Sequence, residues 1–138
     1  MPKTLRSPAL SWIIALLALS VTAIPALAGS PHFVGAPTAT TAGNTLTVTG
    51  KEAGLGNETQ IHVTLTADAL CINGGSNHPK AANKTSVSAA GDFPVQNGKA
   101  DFTLSATAVF QPSCDPPMTV QWQNIVVTDA ANGLIARL

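Results

Sequence analysis

A polar segment that begins at one of the two cysteines holds the side chains best suited to binding chemistry. It reads CINGGSNHPKAANK and runs from Cys71 to Lys84. Asn and Lys side chains can hydrogen-bond a polar or anionic ligand, and binding residues concentrate on loops that a rigid scaffold positions. The candidate binding residues are Asn73, Asn77, His78, Lys80, Asn83 and Lys84. The alternative is a structural loop, in which Asn residues cap turns and Gly residues adopt positive φ.

The two cysteines of the chain, Cys71 and Cys114, are 43 positions apart and form no C-x-x-C pair. An even cysteine count in an exported protein predicts a disulfide bond between them. Two free thiols that carry out redox or metal chemistry are the alternative.

Metal chemistry finds little support in the residue pattern. A blue-copper site needs a cysteine, two histidines and often a weak methionine, and no histidine lies between Cys114 and Met118. Gly29-Ser30-Pro31-His32 would form the new N-terminus if the chain is cleaved after Ala28. A metal site at that N-terminus is disfavoured because the first residue is not histidine and Pro31 has no amide proton that a metal could displace. Three scattered histidines make no zinc signature. The sequence therefore predicts no metal and no other cofactor.

Motifs of hydrolytic enzymes are also missing from the sequence, which contains neither G-x-S-x-G nor H-E-x-x-H. Several acidic residues fall at expected turns, among them Asp92, Asp115 and Asp129. We therefore predict a protein that is not an enzyme. A small enzyme that uses His78 with a nearby carboxylate is the alternative.

Two further charged motifs have competing interpretations. Lys51-Glu52 is either a charged pair beside the 71–84 segment or an exposed pair before a turn, of little energetic weight. The run from Asp129 to Gly133 offers oxygen ligands through Asp129 and Asn132, but it is also typical of an ordinary turn.

The start of the chain has the pattern of a secretory signal peptide. Lys3 and Arg6 form a positive head, residues 12–24 are almost all apolar, and Pro25-Ala26-Leu27-Ala28 offers a cleavage site after Ala28. The apolar run is shorter than the ~20 residues of a transmembrane helix. We expect a signal peptide over residues 1–28, one domain over residues 29–138, and a secreted location, extracellular or periplasmic.

The charge pattern argues against two classes of partner. Without Lys3 and Arg6, five basic residues remain against seven acidic ones, and they are dispersed along the chain. Nucleic-acid binding needs a basic patch, and peripheral membrane binding needs a basic or amphipathic segment. We expect no nucleic-acid partner and no membrane contact after signal cleavage; the expected partner is an extracellular polymer or protein.

Alternation of apolar and polar residues with a period of two predicts strands throughout the expected mature domain. Asn97-Gly98 predicts a type I′ hairpin turn, and the adjacent Val126 and Val127 predict a β-bulge near Asn124. Trp122 is the expected core anchor near the disulfide. The expected strands are residues 33–41, 44–50, 59–67, 92–96, 99–106, 118–128 and 133–138.

About seven short strands with regular turn signals favour an all-β fold, namely an immunoglobulin-like β-sandwich. A small β-barrel is the alternative.

Two segments together resemble a group of small secreted bacterial and fungal hypothetical proteins. They are Lys51-Glu52-Ala53-Gly54-Leu55-Gly56 and the pattern C-x-N-G-G-x-x-x-P-x-x-A-N-K from Cys71 to Lys84. The resemblance covers most of residues 45–130. It implies export, one disulfide bridge and a β fold, and it implies no particular activity.

Three functional hypotheses follow from these patterns. The first is a non-enzymatic extracellular domain that binds its partner through the polar 71–84 loop. The second is a structural or matrix protein that associates with itself through edge strands at 33–41 or 133–138, which carry few protective charges. The third is the small secreted enzyme already mentioned.

Overall fold

The computed structural model describes residues 29–73 and 83–138, and these ranges contain no α-helix. The predicted signal peptide, residues 1–28, lies outside the described residues. Within them, no helix has the length and apolar composition that a membrane crossing needs. The strands are β1 (His32–Phe33), β2 (Thr38–Ala42), β3 (Thr45–Ala53), β4 (Gln60–Ile72), β5 (Lys84–Pro94), β6 (Ala100–Thr107), β7 (Thr119–Asp129) and β8 (Leu134–Arg137).

These strands form two antiparallel sheets. In the first sheet, β1 and β2 pair with successive parts of one edge of β3, and β6 pairs along its other edge. The second sheet has the order β5-β4-β7-β8. The predicted all-β, sandwich-like fold is therefore confirmed, and two separate sheets fit it better than a single barrel. The immunoglobulin-like topology stays a prediction.

The core lies between the two sheets and consists mainly of aliphatic side chains. Leu46 and Val48 from β3 meet Ile61, Val63 and Leu65 from β4, and each is almost completely buried. Alternation along a strand places every second residue on the same face. The apolar positions of β3 and β4 therefore close the interior, while the intervening threonines face outward.

Aromatic rings fill the part of the core near β6. The ring of Phe102 covers Gly50, where an added Cβ would collide with the ring. Phe33 and Phe93 pack against the same ring, with centroid distances of 6.2 and 6.1 Å. Glycine at position 50 thus provides the space that the ring occupies.

The outer face of the first sheet carries hydroxyl groups in rows across the strands. Thr45 lies 3.1 Å from Thr107, measured between the hydroxyl oxygens, and Thr47 lies 2.9 Å from Ser105. Such cross-strand pairs stabilise neighbouring strands.

The Asn97-Gly98 turn is present as predicted, with φ values of +52° and +72° and a bridge between Gln96 and Lys99. The predicted hairpin over residues 92–106 is wrong beyond that bridge. β5 pairs with β4 in the second sheet, whereas β6 pairs with β3 in the first. The rings of Phe93 and Phe102 therefore meet across the interior, and the turn carries the chain between sheets.

Several predicted strand boundaries also need correction. The strand expected at 33–41 is divided into β1 and β2 because Gly35 turns the chain with a φ of +73°. β4 continues five residues beyond the expected end at Ala67 and contains Asp68. β5 begins at Lys84, eight residues before the strand expected to start at Asp92.

The predicted disulfide is confirmed. Cys71, near the end of β4, is bonded to Cys114 in the segment between β6 and β7, with 5.8 Å between the Cα atoms. Beside it, Phe110 belongs to a second small core, and Trp122 packs against both cores. Trp122 is thus a core anchor near the disulfide, as the sequence predicts. The bond attaches the β6–β7 connection to the central strand of the second sheet.

We expect the double substitution Cys71→Ser and Cys114→Ser to lower the free energy of unfolding by ~4 kcal/mol, because a bridge spanning 43 residues restricts the unfolded chain. Urea denaturation followed by tryptophan fluorescence measures the difference. The wild-type protein under reducing conditions is the control and should unfold at the same urea concentration as the variant. A loss below about 1 kcal/mol would contradict this account of the bridge.

Candidate functional site

The described candidate binding residues lie where β4 ends and β5 begins. Asn73 follows β4 and is exposed, Asn83 precedes β5, and Lys84 is the first residue of β5, opposite Leu70. The other three predicted residues, Asn77, His78 and Lys80, lie outside the described residues.

Lys84 connects this end of the sheet to a polar cluster that the sequence did not predict. Its Nζ lies 3.2 Å from Oδ2 of Asp68. Ser86 donates its hydroxyl to Oδ1 of Asp68 at 2.7 Å, and Asn124 donates its side-chain amide to Oδ2 at 2.8 Å. The Asp68 carboxylate of β4 is therefore held by groups from the two strands beside it, β5 and β7.

A β-bulge brings Asn124 to this carboxylate. The pairing of β4 with β7 shifts between Thr66, which faces Val126, and Asp68, which faces Gln123. Asn124 occupies the extra position with a φ of +52°, a conformation that Asn tolerates better than most residues. The predicted bulge near Asn124 is confirmed, and its consequence is that the Asn124 amide reaches Asp68.

An open cavity of about 390 Å³ lies over this cluster, and we call it the Asp68 groove. Its polar groups are hydroxyls, one amide and one carboxylate, and the ammonium of Lys84 balances the carboxylate charge. Such a surface can donate and accept hydrogen bonds while presenting little net charge. The lining residues are Thr66, Ala67, Asp68, Ser86, Val87, Ser88 and Asn124.

Hydrogen bonding keeps Asp68 ionised. The hydroxyl of Ser86 makes the largest contribution, followed by the amide of Asn124 and the ammonium of Lys84, and together they lower the pKa of Asp68 from 3.8 to about 2. A carboxylate that accepts several hydrogen bonds is stabilised in its charged form. The groove therefore contains a fixed acceptor at any ordinary pH.

A second polar group lies at the opposite end of the domain, where both interpretations of Lys51-Glu52 are wrong. Lys51 faces outward and pairs with Asp101 at 3.3 Å, whereas Glu52 is completely buried. Glu52 shares the inward face of β3 with Leu46 and Val48, which is the sequence signal that could have identified it.

The buried Glu52 faces another buried carboxyl group, that of Asp129 at the end of β7. Asp129 accepts hydrogen bonds from the backbone N–H of Asn132 at 3.2 Å and from its side-chain amide at 2.8 Å. The same amide donates to Glu58 at 3.1 Å. Burial, followed by the proximity of Asp129, raises the pKa of Glu52 from 4.5 to about 8. The run from Asp129 to Gly133 thus forms a turn stabilised by its own side chains.

The described histidine and cysteine side chains each have a partner of another kind. His62 is exposed on β4, and its Nδ1 lies 2.6 Å from Oδ1 of Asp92 on β5. Cys114 is bonded to Cys71, which leaves it unavailable as a copper ligand. In the part of the chain that the structure describes, no three His, Cys, Asp or Glu side chains converge closely enough to hold a metal ion.

Comparisons of the chain with protein-family models, with curated proteins and with solved structures found no match.

We expect the Asp68 carboxyl to remain ionised down to about pH 2, because its three donors favour the charged form. A folded pKa below the ordinary value means that Asp68 stabilises the fold above pH 3.8, and that this contribution is lost as the pH falls toward 2. A carbon-13 NMR titration of the side-chain carboxyl groups measures the pKa directly.

Substitution of Ser86 by Ala should move the pKa of Asp68 upward, because it removes the largest contribution. Ser88→Ala is the matched control, since Ser88 lies on the same face of β5 opposite Thr66. If the pKa of Asp68 changes equally in both variants, Ser86 is not the donor that lowers this pKa most.

Proposed function

We propose that this protein is an exported, non-enzymatic binding domain and that the Asp68 groove, near the end of the second sheet where β4 ends and β5 begins, is its ligand site. The confirmed disulfide supports an oxidising location. The disulfide also attaches the connection between β6 and β7 to β4, the strand on which Asp68 lies. A rigid strand that presents polar groups beside a loop is a typical arrangement for recognition.

The observation that carries this proposal is the position of the groove next to an edge strand. β5 is an edge of the second sheet, and Ser86 and Ser88 of β5 line the groove. An extended peptide can pair with an exposed sheet edge through its backbone and place alternate side chains against the sheet face. The ligand class that fits is therefore an extended, uncharged, polar polypeptide.

The composition of the groove favours a peptide over a sugar. Sugars commonly stack on exposed aromatic rings, and none of the described residues that line the groove is aromatic. Serine, threonine and amide groups instead match the N–H and C=O groups of a peptide. The near balance of Asp68 and Lys84 disfavours strongly charged sequences.

The test is selection of peptides from a displayed random library on the immobilised protein. We expect selected peptides to be polar and nearly neutral, and to compete with one another for one site. Asp68→Asn should weaken their binding by about tenfold or more, because the charged acceptor and its hydrogen-bond network are lost. Asp92→Asn is the matched control, since Asp92 lies on the same outward face but pairs with His62.

Equal binding by the Asp68→Asn and wild-type proteins would place the ligand elsewhere and contradict the proposal. A panel of insoluble polysaccharides tests the ligand class. Binding to a polysaccharide that Asp68→Asn abolishes, without selection of any peptide, would overturn the peptide assignment. Thermal unfolding of each variant establishes that any loss of binding occurs in a folded protein.

Self-association is a second candidate function, and the exposed side chains at β8 favour it. β8 is the other edge of the second sheet, where Ile135 is 60% exposed and Leu138 is 40% exposed. An apolar edge strand is a template for pairing with another chain. Association of two copies through β8 would cover both side chains.

We expect Ile135→Lys to shift the protein toward the monomer if β8 mediates association, because a charged lysine on an edge strand opposes pairing. Sedimentation velocity over a range of concentrations measures the distribution of species. Val109→Lys is the control, since Val109 is 70% exposed but lies in the connection after β6. A wild-type protein that stays monomeric at every concentration would exclude this function.

A further inference from the structure

The buried carboxyl groups of Glu52 and Asp129 belong to different sheets. Glu52 lies on β3 of the first sheet, and Asp129 ends β7 of the second. Both residues are completely buried, while the inward positions around them are mostly apolar. The two buried carboxyl groups are therefore neighbours at one end of the sandwich, each contributed by a different sheet.

The two carboxyl groups differ in the hydrogen-bond donors that they receive. Asp129 accepts two hydrogen bonds from Asn132, whereas both oxygens of Glu52 lack a donor in the described part of the chain. A buried carboxylate without donors is unstable. A protonated Glu52 removes this problem, because its hydroxyl can donate to the Asp129 carboxylate.

Among the residues that the structure describes, the neighbours of Glu52 supply no compensating positive charge. Phe33 of β1 and Ala100 of β6 are its partners in the sheet, and neither carries a charge. Glu58, in the connection between β3 and β4, adds a further negative charge. Lys51 and Asp101 point to the other face and pair with each other.

We propose that Glu52 and Asp129 share one proton and act as a pH-dependent clamp between the two sheets. The clamp is closed in acidic and neutral surroundings, where the Glu52 hydroxyl donates to Asp129. In alkaline surroundings Glu52 loses its proton, the two carboxylates repel each other, and this end of the sandwich loosens. This device is independent of the Asp68 groove, which lies on the outer face of the second sheet.

The direction of the pH effect follows from proton binding. The unfolded chain releases the Glu52 proton near pH 4.5, whereas the folded protein retains it to about pH 8. Between these values the folded state binds more protons, so its stability falls as the pH rises. The unfolding equilibrium constant should increase by up to about tenfold per pH unit in this window. Above pH 8 the stability that the Glu52 proton contributes is completely lost.

The test is urea denaturation of the purified protein from pH 5 to pH 9, compared with the variant Glu52→Gln. Glutamine has a similar shape and donates its amide to Asp129 at every pH. We expect the ratio of the wild-type to the variant unfolding constant to increase by at least about a hundredfold across this range. Glu58→Gln is the matched control, because Glu58 is exposed, and it should keep most of the wild-type pH dependence.

A ratio that stays constant with pH would overturn the proposal. If Glu52→Gln does not fold, a carbon-13 NMR titration of Glu52 in the wild-type protein tests the proposal instead. A Glu52 pKa near 8 supports the shared proton, and a Glu52 pKa near 4.5 excludes it.

Discussion

The contact between the aliphatic side chains of β3 and β4 is the interaction on which the rest of the domain depends. These strands are central in their sheets, and their apolar positions alternate with polar ones. Burying one face of each strand obliges the intervening residues to face outward. The chemistry of the protein is therefore restricted to the outer faces, the sheet edges and the two ends of the sandwich.

Each of the two polar clusters departs from this alternation in a different way. At Asp68 the departure is in the backbone, because the bulge at Asn124 moves one amide out of the regular ladder and toward the carboxylate. At Glu52 the backbone is regular and the residue type is unexpected, because a carboxyl group occupies an inward position. Local irregularities of either kind tend to mark functional positions, since they oppose stability.

Sequence patterns predicted those features of the fold that depend on neighbouring residues. The alternation within strands, the Asn97-Gly98 turn and the bulge at Asn124 each have a local signature, and the structure contains them, although several strand boundaries differ. The disulfide could be predicted because the chain has only two cysteines. Partners that are distant in the sequence have no such signature. The pairing of β5 with β4, rather than with β6, has no local signal, and it brings the rings of Phe93 and Phe102 together across the interior.

The residues of the two polar clusters were also predictable only where the signal lay in neighbouring residues. Lys84 was identified from its polar surroundings, but Asp68 was not, because the expected strand ended before it. The parity of β3 points to Glu52, yet its charge suggested the surface. Identifying the Asp68 cluster required the register of β4 against β5 and β7, which composition and spacing do not contain.

The passage of the chain from β5 to β6 has a consequence for the order in which the protein folds. Cys71 precedes this passage and Cys114 follows it, so the disulfide encloses the step in which the chain changes sheets. The pairing of β3 with β6 and of β4 with β7 is also non-local, and such topologies fold slowly. The loop that the bond closes contains both β5 and β6, so in the unfolded chain it shortens the search by which these two strands reach their separate partners.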